Sequence, residues 1–317
     1  MSITSQISSD DIVASLSNGV NAPKVIATGL SSLAGITITG GRTYELGTSS
    51  IVVQEPQSLT VYDAVDLHHG GALDFAGCRN LTYVDCDGTD INKIDIRGCD
   101  NLDTIFCGGN VVDSLYPISL PVATKFYFYD NSGDLKNMHI KDAPALTELF
   151  LPENGLETLQ IDQKHLNLTQ CWLNYNNLTE IDCSKFYKAV FLYGDHNLFT
   201  HVDASKIAWY SYFQNFSNCP NLKTYAIAPY TYNLYLDVCP NLRKINNLSS
   251  FYSSVASAGS VRVRNCNLSA SELDTIFTDL PTANGTKTVY YGGNVGTAGA
   301  DYTILTAKNW AYNTVAL

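Results

Sequence analysis

The chain has 317 residues, a formal net charge of −11, 45% apolar residues and only 15% charged ones. That acidic balance argues against nucleic acid or an anionic membrane as the main partner, because both need clustered Lys and Arg. No stretch approaches the roughly 18 apolar residues of a membrane span. With charge so scarce, the surface must be built from Asn, Ser, Thr, Gly and Tyr, and 20 tyrosines against two methionines suit exposed strands and recognition surfaces.

The start, MSITSQISSDDIVASLSNGV, has neither a basic segment nor a long apolar one, so it does not read as a secretory signal. The expectation is a chain that stays in the cytoplasm where it is made or leaves by another route. SSDDIVASL (8–16) predicts one short helix. KVIATGLSSLAGITITGGRTYELGTSSIVVQEP (24–56) predicts short strands separated by glycine turns. Residues 1–57 share no period with the rest of the chain and are expected to form a small β-rich attachment or capping module. His68 and His69 are the one histidine pair; a loop position beside Gly70 and Gly71 accounts for them better than a metal site.

A repeat then sets in. Cys78 and Cys99 are 21 residues apart, as are Cys86 and Cys107, so CRNLTYVDC aligns with CDNLDTIFC. The anchor Leu81 has equivalents at Leu102, Ala123, Leu146, Leu168 and Ala189. Within a repeat the pattern is LxxLxLxxNxL: Leu146, Leu149, Leu151, Asn154, Leu156, then Leu168, Cys171, Leu173, Asn176, Leu178. Asn110 and Asn197 mark two further copies.

Over 73–204 this pattern resembles the leucine-rich repeat family. The resemblance implies stacked repeats of about 21 residues, each giving a short strand with alternate residues inward. It also implies a ladder of Asn side chains bonding buried turn backbone. INKIDI, LETLQI, LTEIDC and FTHVDA (91–96, 156–161, 178–183, 199–204) alternate too, and each predicts a second short strand or an extended turn, not a long helix. The fold expected is an α/β-type solenoid, mostly β and curved. It has three parts: an N-terminal module (1–57), the solenoid (58–259) and a C-terminal cap (260–317).

The nine cysteines contain no CxxC pair, which weakens a zinc reading. Cys86, Cys107, Cys171 and Cys183 fall at inward positions and read as small buried hydrophobes. Cys78 with Cys99, and Cys86 with Cys107, would lie about one strand spacing apart, so disulfides there stay open. Between 205 and 260 the frame drifts. CPNLKTYAI and CPNLRKINN repeat at 20 residues, while Tyr210, Phe213, Asn215 and Asn218 continue the older frame, so either two repeats overlap or one carries an insert. SASELDTIFTDLP then predicts a capped helix with Leu273, Ile276, Phe277 and Leu280 on one face. The tail predicts a short helix and a closing strand.

The residue between the second and third L of each repeat points outward. Down the stack these are Asp85, Phe106, Tyr127, Phe150, Trp172 and Tyr193, with Tyr83, Tyr129 and Phe191 two residues away on the same face. Cross-strand aromatic pairs stabilise sheets by roughly 0.2–1 kcal/mol each, which is the structural reading of this column. The functional one is a recognition platform for a protein or a glycan; its binding residues would be Tyr83, Phe106, Tyr127, Tyr129, Phe150, Trp172, Phe191 and Tyr193. Asp74, Asp95, Asp182 and Asp203 recur on the second-strand segment and read as a solvated acidic edge, since no calcium-loop spacing accompanies them.

No GxSxG, HExxH, Walker loop or GxGxxG is present, and His139, His165, His196 and His201 are scattered. A glycan-degrading enzyme would need paired carboxylates near the aromatics, and Asp85, Asp87, Glu148 and Asp195 form no recognisable pair. The expectation is a non-enzymatic binding or structural protein with no cofactor and no metal. The run NLSASELDTIFTDLP…GTKTVYYGGNVGTAGADYTILTAKNW resembles terminal segments of leucine-rich-repeat proteins of phage virions and bacterial cell surfaces. That resemblance implies a tail or head fibre component, made in the host cytoplasm and assembled into the virion. A secreted adhesin on the bacterial surface is the alternative. Expected partners are virion proteins or a host-surface receptor, with a glycan as a further candidate. The chain is expected to act as a homo-oligomer or part of a larger assembly, without membrane insertion.

Overall fold

Alternation with period two decides where the strands fall. In the computed structural model, residues 71–131, 135–165, 167–252 and 258–317 are described in full. Before residue 71 the description covers the backbone of seven short strands between Thr4 and Asp63, and Tyr62. The expected 1–57 module and His68–His69 otherwise lie outside the described residues. The chain divides into two compact units, Met1–Gln163 and Lys164–Leu317. Their architecture is mostly β with few helices, a parallel β-solenoid of about 11 turns in all.

In the first unit one row of strands runs Val61–Asp63, Tyr83–Asp85, Thr104–Phe106, Lys125–Tyr127 and Glu148–Phe150, parallel and in register. A second row includes Ser50–Val53, Gly71–Asp74 and Ile91–Asp95, then Ile118–Ser119, Asn137–Asp142 and Thr158–Ile161. The second unit has a front row of Gln170–Trp172, Phe191–Tyr193, Phe213–Asn215, Asn233–Tyr235, Gly259–Arg262, Lys287–Tyr290 and Trp310–Asn313. Its other row holds His201–Asp203, Thr224–Ala226 and Lys244–Asn246. Each three-residue front strand buries its middle residue: Val84, Ile105, Phe126 and Leu149 in the first unit, Cys171, Leu192 and Leu234 in the second. Gln214 occupies one such core position. It is satisfied there, donating to Thr231 Oγ1 at 3.1 Å and accepting from Tyr225 Oη at 2.8 Å.

Four residues past each front strand sits a polar ladder. Asn110 donates from Nδ2 to the carbonyls of Cys86 and Gly108, both at 2.9 Å, and accepts from the amides of Thr89 and Ile91. Asn131 and Asn154 continue it. In the second unit Asn197 donates to Leu173 O at 2.8 Å and accepts from Leu178 N at 3.0 Å, and Asn294 does the same with Val263 O and Cys266 N. These groups would otherwise be buried and unpaired.

The ladder also removes the apparent drift between 205 and 260. The register pairs Phe191 with Phe213, Phe213 with Asn233, and Asn233 with Ser260, so neither overlap nor loss of frame occurs; one turn is short and the next is long. Cysteine replaces asparagine at the ladder position in three successive turns. Cys219 Sγ reaches Gly194 O at 3.5 Å, Cys239 Sγ reaches Phe216 O at 3.3 Å and Cys266 Sγ reaches Leu236 O at 2.9 Å. Cys99 makes the equivalent bond to Phe75 O at 3.1 Å behind a second-row strand. All nine cysteines are free and buried, so the Cys78–Cys99 and Cys86–Cys107 disulfides do not form.

Three other expectations change. Residues Asp11–Ser15, inside the predicted N-terminal helix, form a strand between Thr4–Ile7 and Lys24–Thr28; β-branched Ile12 and Val13 favour that extended state. LTEIDC does not form a strand, because Asp182 caps a 3-10 turn at Cys183–Lys185 by accepting from Ser184 N at 3.0 Å. Asp203 does likewise for Ala204–Lys206, and Asp74 accepts from Ala76 N. Asp95 is buried rather than solvated. Burial raises its carboxyl pKa, but the bonds from Arg97, one at 2.6 Å, outweigh that and hold it below the usual range.

The two helices and the closing strand expected near the C-terminus form. Helix α1 (Ala270–Asp279) starts with a reciprocal Ser269–Glu272 capping box and buries Leu273, Ile276 and Phe277. Helix α2 (Thr303–Ala307) precedes the last strand.

Truncating a ladder asparagine strands carbonyls and amides together, at roughly 1–3 kcal/mol per unsatisfied group. Asn197→Ala is therefore expected to destabilise the protein by at least about 2 kcal/mol in urea unfolding. Cys239→Ala, which removes only a weak thiol donor, should cost distinctly less; equal costs would mean that packing rather than the ladder decides.

Candidate functional site

The register brings the outward residues of neighbouring strands together, within each unit. In the first unit Phe106 and Tyr127 have ring centroids 4.8 Å apart, and Tyr127 and Phe150 stack at 4.4 Å with an interplanar angle of 21°. Tyr83 joins from the adjacent column at 6.0 Å from Phe106, and its hydroxyl donates to Asp85 at 2.9 Å. The Tyr127 hydroxyl bonds Glu148; burial and that carboxylate together push its pKa up. Tyr129 lies further along the face. Its ring covers Gly108, where any side chain would collide with it, and its hydroxyl donates to Asp87 Oδ2 at 2.6 Å. Gly108 thus follows from a close approach that nothing larger permits.

In the second unit Trp172 and Tyr193 lie 4.4 Å apart, both half-buried. Behind Tyr193, Asp195 is buried and pairs with His196 Nδ1 at 3.0 Å. Burial raises the Asp195 carboxyl pKa, partly offset by His196. Burial, then Asp195, raises that of the Tyr193 phenol. Tyr175 stacks on His196 at 4.0 Å. Phe191 shares a strand with Tyr193 but occupies the neighbouring column, 5.7 Å from Tyr212.

The face in the second unit extends past Tyr193. Phe213 packs 5.2 Å from Tyr193 and 4.6 Å from Tyr235. Arg262 and Tyr290 follow in register. A second aromatic group borders the strand starts: Trp209, Tyr210, Tyr212 and Tyr230 are exposed, Tyr230 at 57%, with Tyr232 and Tyr252 between them. Lys188 lies over the Trp209 ring. Sequence reading kept Tyr210 and Phe213 in frame but did not carry the outward column on to Tyr235, Arg262 and Tyr290, because Cys stands in place of the frame-marking Asn at 219, 239 and 266. The spacing of Cys219, Cys239 and Cys266 was the signal that would have recovered it.

The carboxylates on the face are each engaged by a neighbour: Asp85 by Tyr83, Asp87 by Tyr129 and Gly108 N, Glu148 by Tyr127, Asp195 by His196. Among the described residues no group of three or more His, Cys, Asp or Glu is placed to hold a metal ion, and no helix is long and apolar enough to cross a membrane. The arrangement offers ring faces, phenol hydroxyls and amides at fixed spacing. Compared with protein-family models, curated proteins and solved structures, the chain matches none.

Two outcomes are expected. Trp172→Ala removes the tilted ring contact with Tyr193 from a half-buried position and should cost less than the roughly 3–5 kcal/mol of a core aromatic truncation; unfolding by thermal melt would place Trp172 in the core instead. The thiols of Cys78, Cys99, Cys219 and Cys266 are pushed up to about 12 by burial. Because all nine cysteines are buried, native protein at pH 8 should leave them unreacted with a thiol-disulfide reagent, and denatured protein should react at all nine.

Proposed function

We propose that the protein is a non-enzymatic binding and structural component of a phage virion, of tail or head fibre type, that presents its aromatic strand face to a host receptor or a neighbouring virion protein. In this reading the turns are leucine-rich repeats and residues 260–317 cap them. The observation that carries it is the register itself. Phe106, Tyr127 and Phe150 in one unit, and Trp172 and Tyr193 in the other, stand outward and in contact, although their own strands already bury a complete core. Rigid amphipathic rings of this kind supply contact area at small entropic cost, and a contiguous partly exposed aromatic surface is characteristic of interfaces. The resemblance of the C-terminal run to virion and cell-surface repeat proteins supports the same reading. So does the shortage of charge, since the face must rely on rings and amides.

Mass spectrometry of intact, purified particles tests the assignment. The chain should co-purify at a fixed copy number, and Trp172→Ala particles should attach to host cells more weakly while retaining that copy number. Absence from any particle would instead identify a free adhesin or an intracellular binding protein.

A further inference from the structure

Arg262 stands in the outward row of the second unit, between two tyrosines. In the second unit the register places Trp172, Tyr193, Asn215, Tyr235, Arg262 and Tyr290 at equivalent outward positions on adjacent strands, about 4.8 Å per step. The Arg262 guanidinium lies 3.8 Å from the ring centroid of Tyr235 and 5.0 Å from that of Tyr290. Two phenol rings therefore flank it. Among the described residues the guanidinium has no carboxylate partner, and its Nε is buried with no hydrogen-bond acceptor. The nearby Arg264 is different: its fork is taken by Asp237 at 2.7 Å.

We propose that Arg262 is the anion-reading group of a glycan subsite, and that its ligand is a saccharide carrying a single carboxylated sugar among neutral ones. The inference rests on the reading of the front face as the binding surface. A planar guanidinium flanked by two rings can meet the two oxygens of a carboxylate. The row combines rings with one amide, and that combination suits a sugar chain: ring faces take the apolar sides of pyranoses, and the Asn215 amide takes a hydroxyl. One unpaired cation matches one carboxylate. A strongly acidic peptide or a polyuronate would instead meet the repulsion of a chain whose formal charge is −11.

The test uses the full chain and calorimetric titration with two probes, sialyllactose and an aldobiouronic acid of glucuronate and galactose, each beside its methyl ester. The acids are expected to bind at least about tenfold more tightly than the esters, as a partly desolvated charge-assisted pair allows. Arg262→Gln should bring acid and ester to the same affinity without altering the melting temperature, and Arg262→Lys should recover only part of the difference. Trp172→Ala should weaken acids and esters alike. Equal binding of acid and ester by the unaltered protein overturns the role of Arg262 while leaving the face as a sugar-binding surface. If no probe binds at millimolar concentration but Trp172→Ala still weakens attachment to host cells, the glycan inference falls and the proposed function stands. If that attachment is also unchanged, both fall. Equal affinity for a Gly-Asp-Gly peptide blocked at both ends overturns the saccharide assignment.

Discussion

A solenoid turn brings its backbone inward three or four residues after every strand, where water cannot reach the amides and carbonyls. Everything else in the molecule depends on satisfying those groups. Asn110, Asn154, Asn197 and Asn294 do so by both donating to the preceding turn and accepting from it, and Asn131 by donating to it, which also locks successive turns into register. A slip of one residue would cost the ladder and invert every strand at once, because side chains alternate with period two. The same bonds that hold the fold therefore decide which residues face outward.

Cysteine in three of these positions shows what the constraint demands. A thiol offers a single weak donor, yet Cys219, Cys239 and Cys266 still reach the carbonyl of the preceding turn. The requirement is a small side chain that can donate inward. Thr89, which bonds Cys86 O at 2.7 Å, meets it in the first unit. Gln214 enters the core in a hydrogen-bonded chain with Tyr225 and Thr231, the last donating to Ala228 O.

Much of this was legible in the amino-acid order. Leucine spacing located the front strands of 83–193 and the outward register of Trp172, because both follow from local alternation. Ser269 and Glu272 announced helix α1 through a contact three residues long. What escaped depends on contacts distant in the chain. Nothing near Cys239 says that its thiol meets a carbonyl 23 residues earlier, so the frame between 205 and 260 stayed undecided, and the outward place of Tyr235 with it. LTEIDC alternates as a strand should, but Asp182 offers its carboxylate to Ser184 N and bends the backbone instead. Asp95 looked like one more surface acid until Arg97 was seen to cover it.

The turns between Phe213 and Asn233 and between Asn233 and Ser260 differ in length by seven residues, yet the strands they join remain in step. Pairing uses the strand triplet and the ladder residue behind it, so added chain elsewhere in a turn does not shift the register. Such an architecture separates inheritance of the scaffold from diversification of its surface. Insertions at the rim can be gained or lost one turn at a time, and each leaves the neighbouring turns to fold as before.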